Sequence, residues 1–524
     1  MLRVDRRAGG RWIPAGLWTN FANHGTVAKY QFRYYNRDHH GPAAEYTERR
    51  LRRRGQVPRG RDVVMVYGNG AEGDQSSGLH YDGPAGADEV GRLEGRKMLA
   101  AWRQAGKRMK RHAKLGTRWT RMCFCGQMTS VGPVDDEAKF GLGQFTGSDE
   151  ARGPLYDVTR VSFEGRTGPD DGGPQGPKII VDLPVNVPNA VPLVVARIDD
   201  RVIGSIPGEA TKQTGARVRK TLMAASAGTG VKRALVSGLT NEFTSYYATA
   251  EEYDAQYYEG STTLHGRASA AAVTEVLGKL ATALADKRPA PAPYDYDATN
   301  GVSDEGGSFP PGAGAATPIA QPAAAVRRLG GPEFRWQGGL RGYDRPLDTP
   351  FIRVQHARRG GGWRTVDSDS GGLRILWYVD DAGRYTARWE PALSAPLGDY
   401  RFLVTGNRYR LASDRFRLHR SRAISVEQAA APAGRVAVRL AYPPAVSHEG
   451  IDDPPPDDDA DLSYRPAHVR RGTVRFDVGG KRVLARSRNG LFVVRAAPGE
   501  QVRVAAGGAR DRYGNRNGEP FAVR

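Results

Sequence analysis

Ile203-Gly-Ser-Ile-Pro-Gly-Glu-Ala-Thr-Lys-Gln-Thr-Gly-Ala-Arg-Val-Arg219 and Ala234-Leu-Val-Ser-Gly-Leu-Thr-Asn-Glu-Phe-Thr-Ser-Tyr-Tyr247 decide how the first half of the chain folds. The first stretch reads as the end of a buried strand, Val195–Ile206, that stops at Pro207-Gly208. Glu209 then stands at the start of a helix. A carboxylate there faces unpaired backbone N–H groups and the positive helix end, which keeps it ionised and ready to bind a cation. The second stretch is another apolar strand, Arg233–Leu239, leading into a tyrosine-rich loop that continues through Glu251-Glu-Tyr-Asp-Ala-Gln-Tyr-Tyr-Glu-Gly-Ser-Thr262. Two strand ends thus deliver Glu209, Tyr246 and Tyr258 to what could be one site. In open α/β sheets, ligands bind beyond the carboxyl ends of the strands.

Upstream, Arg11-Trp-Ile-Pro-Ala-Gly-Leu-Trp-Thr-Asn-Phe-Ala-Asn23 alternates and then runs apolar, as a buried strand does, and ends at His24-Gly-Thr26. Glu45–Arg54 reads as a basic helix, and Asp62–Tyr67 as a strand that opens into Gly68-Asn-Gly-Ala-Glu-Gly-Asp-Gln-Ser-Ser-Gly78. That loop is not a Gly-x-Ser-x-Gly nucleophile elbow. A scaffold helix is expected at Ala87–Gln104, where Gly91, Gly95, Met98 and Trp102 recur on one face. Lys178–Pro184 and Val191–Ile198 read as strands. Ala268–Lys287 is the clearest helix, with Val273, Val276, Leu277, Leu280 and Leu284 as its apolar stripe.

The string Ile206-Pro-Gly-Glu-Ala-Thr211, Gly215, Arg217, Gly238-Leu-Thr-Asn241, Thr244-Ser-Tyr246, Glu251-Glu-Tyr253, Ala255-Gln256 and Tyr258-Glu-Gly-Ser-Thr262 resembles the neutral/alkaline, non-lysosomal ceramidases in order and spacing. The resemblance implies an α/β catalytic domain followed by all-β, immunoglobulin-like C-terminal domains. It also implies one catalytic Zn²⁺ on two His, one Glu and one Tyr, with His24, Glu209 and Tyr246 as three of those ligands. Tyr258 matches a second active-site tyrosine, whose hydroxyl could donate to the developing oxyanion. Ser76 matches the serine implicated in catalysis, although Ser76-Ser77-Gly78 stands where the family continues Ser-Pro-Asn. The implied reaction is hydrolysis of the N-acyl amide of ceramide, or a related N-acyl lipid, met transiently at a membrane surface or micelle. Phe140-Gly-Leu-Gly-Gln-Phe-Thr-Gly-Ser-Asp-Glu150 loosely resembles the family's aromatic-glycine loop near the active site.

Without the resemblance the same residues read differently. His24 would be a structural or surface histidine, Ser76 part of a Gly/Ser turn, and each tyrosine a packed loop aromatic. The family's first His ligand and an active-site Arg belong before the position that matches Leu2. The expectation is that this chain lacks that segment, through a misassigned start, a fragment or a degenerate paralogue. Of the other histidines, His80 is the best internal substitute. Two alternatives therefore stand beside the zinc amidase: a metal-independent Ser76 hydrolase, and a non-catalytic lipid- or surface-binding protein with a vestigial site.

At 524 residues the chain is too long for one core. The expected division is a catalytic domain over 1–287, a Pro/Gly/Ala-rich linker over 288–330, an immunoglobulin-like β-sandwich over 331–420 and a further all-β module over 421–524. Short alternating strands such as Phe334-Arg-Trp336, Tyr385-Thr-Ala-Arg-Trp389 and Tyr400-Arg-Phe-Leu-Val404 carry the β reading. The acidic run Asp452–Asp461 reads as a solvated loop, with Ca²⁺ binding as the lesser alternative. A net charge of +20 invites nucleic acid, but the arginines are scattered and no zinc-finger, RRM or helix-turn-helix pattern accompanies them, so no nucleic-acid partner is expected. The densest basic run, Arg49–Arg54, reads as a solvated helix end, with anionic head groups as the alternative ligand. Cys123 and Cys125 cannot make a disulfide framework and lack the second pair of a zinc knuckle. No run of ~18 apolar residues is found, and Met1–Arg7 is not expected to be a signal peptide, because it has no apolar stretch. The resemblance nonetheless implies a secreted or cell-surface protein.

Overall fold

In the computed structural model, β1 (Leu2–Ala8) and β2 (Arg11–Phe21) form an antiparallel hairpin, and β2 pairs in parallel with β3 (Val64–Asn69). The structure describes residues 1–28, 34–53, 57, 62–78, 80–81, 83–148, 151–297, 299, 301, 312–370, 374–443 and 468–523. They divide into two units. The first comprises Met1–Thr26, Tyr46–Leu79 and Leu93–Ser308; the second comprises Val27–Glu45, His80–Arg92 and Phe309–Arg524.

The first unit is built on a second sheet made of β4 (Leu115–Cys123), β5 (Ala190–Ile198), β6 (Arg201–Ser205) and β8 (Arg233–Ser237), in the order β8-β6-β5-β4. The short strands β7 (Glu209–Ala210) and β9 (Tyr246–Tyr247) pair in parallel beyond it. Helices α1 (Lys212–Ala225) and α2 (Ser269–Ala285) cover one face. Val191, Leu193 and Val195 of β5, Val202 of β6 and Val236 of β8 pack with Val218 and Leu222 of α1 and with Val273, Val276, Leu277 and Leu280 of α2. The apolar stripe expected on α2 is therefore its buried face.

The single strand expected over Val195–Ile206 is two strands. β5 and β6 run antiparallel through a turn at Asp199-Asp200, where Asp199 takes φ 53°. An Asp-Asp pair bends the backbone readily because aspartate tolerates the left-handed region. The reversal makes β6 parallel to β8 and brings both carboxyl ends to the same edge. Of Lys178–Pro184 only Ile180–Val181 pairs, with Phe140–Gly141. The basic helix runs over His40–Arg53 and the scaffold helix over Gly83–Gly106, longer than their patterns suggest. Cys123 and Cys125 are joined to each other in a disulfide.

The second unit is almost all sheet. Thr317–Ala320, Glu333–Gln337, Arg384–Trp389 and Ile375–Val379 form one sheet; Ala325–Arg327, Phe416–His419, Gly398–Thr405, Ile352–Ala357 and Trp363–Ser368 form another. Both bury side chains in one aromatic core that contains Phe334, Trp336, Trp377, Tyr385, Trp389 and Phe402. The stretch read as a linker thus supplies two strands, Thr317–Ala320 and Ala325–Arg327. Past residue 420, Ser425–Ala429, Arg435–Ala441 and Leu491–Arg495 share a further apolar core with a sheet built around Gly472–Val478. The acidic run Asp452–Asp461, and with it the Ca²⁺ alternative, lies outside the described residues. No helix among the described residues is long and apolar enough to cross a membrane.

Candidate active site

Four chain segments in the first unit meet where strands end. β2 runs on into His24, β3 into the loop from Gly70, β6 into Gly208-Glu209, and β8 into the loop that becomes β9. Backbone hydrogen bonds join them. The Gly238 N–H donates to the Asn69 carbonyl (3.3 Å), tying the ends of β8 and β3, and the His24 N–H donates to the Gln75 carbonyl (2.8 Å). Asn20 on β2 donates from its side-chain amide to the carbonyls of Asn69 and Val236, a third tie across the same edge.

Glu209 does not open a helix. Thr211 is the N-cap of α1, its side chain accepting from the Thr214 N–H, and Glu209 lies two residues earlier in β7. Its N–H is already given to the Ser245 carbonyl (2.9 Å), and register pairs it with Tyr246. The two-residue parallel pairing, rather than a helix dipole, is what places the carboxylate beside the phenol. Gly208 makes the approach possible: a Cβ there would sit 2.2 Å from the Ser245 carbonyl oxygen. A side chain at 208 would push β7 off β9.

His24, Glu209 and Tyr246 come together. The His24 Nε2 lies 2.5 Å from the Glu209 Oε2, and the Tyr246 hydroxyl lies 3.3 Å from the same nitrogen. The Tyr258 ring meets Tyr246 edge-on, with centroids 5.4 Å apart. Burial, reinforced by the Glu209 carboxylate, holds the Tyr246 phenol proton far above the usual range, and the same two causes push Tyr258 up to about 12. Both tyrosines are therefore proton donors at neutral pH. Among the described residues no group of three His, Cys, Asp or Glu could hold a metal ion. The Tyr246 hydroxyl is the third polar group at this point.

Ser76 is not drawn into that group. It is exposed and makes no hydrogen bond among the described residues, whereas its neighbour Ser77 exchanges hydrogen bonds with Asn23, next to His24. Asn23 also donates to Glu94 (2.8 Å). His80 belongs to the second unit, where its ring lies against Tyr81.

Two features of the site escaped the reading of the sequence. Glu72 is fully buried in the loop after β3, and neither carboxylate oxygen has a hydrogen-bond partner. Burial first, and then Glu209, raises its pKa to about 8. The Gly238 backbone lies hard against it; a Cβ there would be 2.7 Å from Glu72 Oε2. A glutamate set between alanine and glycine, Ala71-Glu72-Gly73, just past a strand was the signal for it. The second is a brace. Thr249 and Glu252 form a capping box, and the Glu252 Oε2 also accepts from the Thr211 hydroxyl (2.7 Å), linking the Glu209 loop to the tyrosine loop. Thr249-Ala-Glu-Glu252 is legible as a capping box from its spacing.

The fold is similar to that of solved ceramidases. It matches the structure of ceramidase complexed with C2 at a TM-score of 0.59 and 19% identity, covering 78% of this chain and 71% of that one. The crystal structure of neutral ceramidase from Pseudomonas aeruginosa matches at 0.55 and 19% identity, covering 79% and 70%. In sequence, the family described as Neutral/alkaline non-lysosomal ceramidase, N-terminal, matches residues 100–275, the span that holds Glu209, Tyr246 and Tyr258. The neutral ceramidase of Mycobacterium tuberculosis is 27% identical over 448 residues, 78% of this chain and 68% of that protein. Neutral ceramidase 2 of Arabidopsis thaliana is 30% identical over 237 residues, 41% of this chain and 31% of that protein. The chain is thus similar to the neutral/alkaline ceramidases in fold and, over residues 100–275, in sequence.

Proposed function

We propose that the chain is a zinc-dependent amidase that hydrolyses the N-acyl bond of ceramide, giving a fatty acid and a sphingoid base. One observation carries this reading: in a chain similar to the ceramidases, an imidazole nitrogen, a carboxylate oxygen and a phenol oxygen converge within 2.5 and 3.3 Å at the carboxyl ends of the strands. The donor set fits zinc. Imidazole and carboxylate are ordinary zinc donors, and a phenol joins them once it is deprotonated. His24, Glu209 and Tyr246 would hold the ion. When bound, it would polarise the amide carbonyl and supply a water that ionises near neutral pH.

The chain's own residues do the rest. Glu209 and His24 hold each other in place through their short contact. Tyr246 must give up its proton to become a ligand, against both burial and Glu209, so metal affinity should rise with pH. Tyr258 keeps its proton and is available to donate to the oxygen of the amide as charge develops there. We assign Ser76, exposed beside the His24 loop, to holding the substrate amide. A metal-independent Ser76 hydrolase has less support, because His24 faces Glu209 and no described residue hydrogen-bonds the Ser76 hydroxyl.

We further propose that catalysis resides within 1–287, that 331–420 is immunoglobulin-like, and that ceramide is met at a membrane surface or micelle by a secreted or cell-surface protein. The test is release of fatty acid from a fluorescent ceramide by the zinc-loaded chain. Turnover abolished by chelation and restored by zinc is expected, with Tyr258→Phe lowering kcat far more than it changes KM. Chelator-resistant turnover, or none in a zinc-loaded protein, would contradict the reading.

A further inference from the structure

Within the second unit, the aromatic-cored sheets and the β-module past residue 420 are tied together by the buried Arg328 side chain. Its guanidinium donates to the Ala395 carbonyl on one side and to the Tyr513 carbonyl (3.0 Å) on the other. A cleft of about 840 Å³ opens along this seam. Arg327 and His419 project from one side, Arg420 and Arg422 from the connection, and Arg510 and Arg516 from the other. Ser421, Gly514 and Asn517 form a buried floor.

No carboxylate lines the cleft. The five guanidinium groups are exposed, and none forms an ion pair or donates a side-chain hydrogen bond among the described residues. Elsewhere in the same unit some arginines are matched, as Arg384 is with Asp380, Arg388 with Glu333 and Arg417 with Asp399, and unpaired ones such as Arg475 and Arg482 lie on exposed strand faces. Asp511, next to Arg510, is buried and accepts from the Tyr442 hydroxyl and the Asn515 amide, so its charge is turned inward. An arginine-rich composition scatters cations, but it does not explain five unpaired ones facing a single cleft.

Guanidinium groups match phosphate oxygens with paired hydrogen bonds, and five cations gathered in one concavity repel one another until an anion enters. The cleft is too large for one phosphate. No phenylalanine, tyrosine or tryptophan lines it, so it offers no plane for stacking a base. We propose that this cleft binds clustered phosphates, those of a multiply phosphorylated small molecule or of an anionic lipid surface. The proposal is independent of the amidase reading.

The test uses the full chain, inositol hexakisphosphate as the soluble probe, and vesicles of phosphatidylcholine with or without about 30% phosphatidylglycerol as the lipid probe. Titration calorimetry should detect binding of the soluble probe, weakening as salt rises. Arg420→Gln/Arg516→Gln should weaken it at least tenfold. Arg475→Gln/Arg503→Gln, which removes the same charge at exposed positions outside the cleft, should change it less than twofold; thermal melts confirm that both variants are folded. Vesicle retention that is lost in the cleft variant and displaced by the soluble probe assigns the site to lipid headgroups. Soluble binding without retention assigns it to free phosphates. Binding to neither probe, or equal losses in both double variants, would overturn the proposal.

Discussion

The aromatic core of the second unit and the strand-end site of the first solve opposite problems. Around Trp336 and Trp389 most buried polar atoms are answered, the Tyr385 hydroxyl excepted: the Trp336 Nε1 donates to the Tyr409 hydroxyl, the Trp389 Nε1 to Asp367, and the Tyr409 hydroxyl to Asp344. Around Glu209 they are crowded together instead. A carboxylate, an imidazole and two phenols share one small volume, and Glu72 lies nearby with neither oxygen partnered. Packing of the first kind maximises stability. Titratable groups crowded into one buried volume are costly to fold and are where chemistry is found.

The sharpest break between the two regions should come from one substitution in each. Glu209→Ala should abolish zinc binding and lower ceramide hydrolysis by on the order of 10³-fold or more, while the metal-free protein unfolds at nearly the same denaturant concentration. Trp336→Ala should do the reverse. It removes a fully buried ring stacked on Tyr385 and should cost about 3–5 kcal/mol in chemical denaturation, leaving zinc stoichiometry of the folded fraction unchanged.

Glu72 sharpens the comparison through pH. Its folded pKa, about 8, lies above its unfolded value of 4.5, so the native state binds the extra proton between them. Stability of the metal-free protein should be full below about pH 4.5 and fall as pH rises toward 8, by up to about 1.4 kcal/mol per pH unit. Glu72→Gln should flatten that part of the profile, measured by urea denaturation at several pH values. A smaller effect tests the brace between the Glu209 loop and the tyrosine loop. Thr249→Ala breaks the capping box and should cost about 1 kcal/mol. Activity should fall with the loss of the Glu252 link to Thr211.

What the sequence revealed follows the same division. The strands of the second unit were legible because each alternates over a few residues, and Phe334, Trp336, Tyr385 and Tyr400 mark their inward faces. The α2 stripe was legible for the equivalent helical reason. Glu209, Tyr246 and Tyr258 were found from short motifs at strand ends, but their geometry was not. The expected helix start at Glu209 is a two-residue parallel pairing with Tyr246, formed between residues far apart in sequence. Propensity carries no record of such pairing. The Asp199-Asp200 turn was a local signal passed over because Val195–Ile206 is apolar on both sides of it. Long-range contact also decides that 27–45 and 80–92 belong with the second unit. No local pattern in those segments announces it.

The central claim is that His24, Glu209 and Tyr246 form one cation site. It is tested most directly by the zinc content of the purified 524-residue chain, measured by mass spectrometry of the metal after dialysis against limiting zinc. About one zinc per chain is expected, lost in His24→Ala and Glu209→Ala and retained in Ser76→Ala. A folded chain that takes up no zinc, or one that keeps it when Glu209 is removed, would contradict the account.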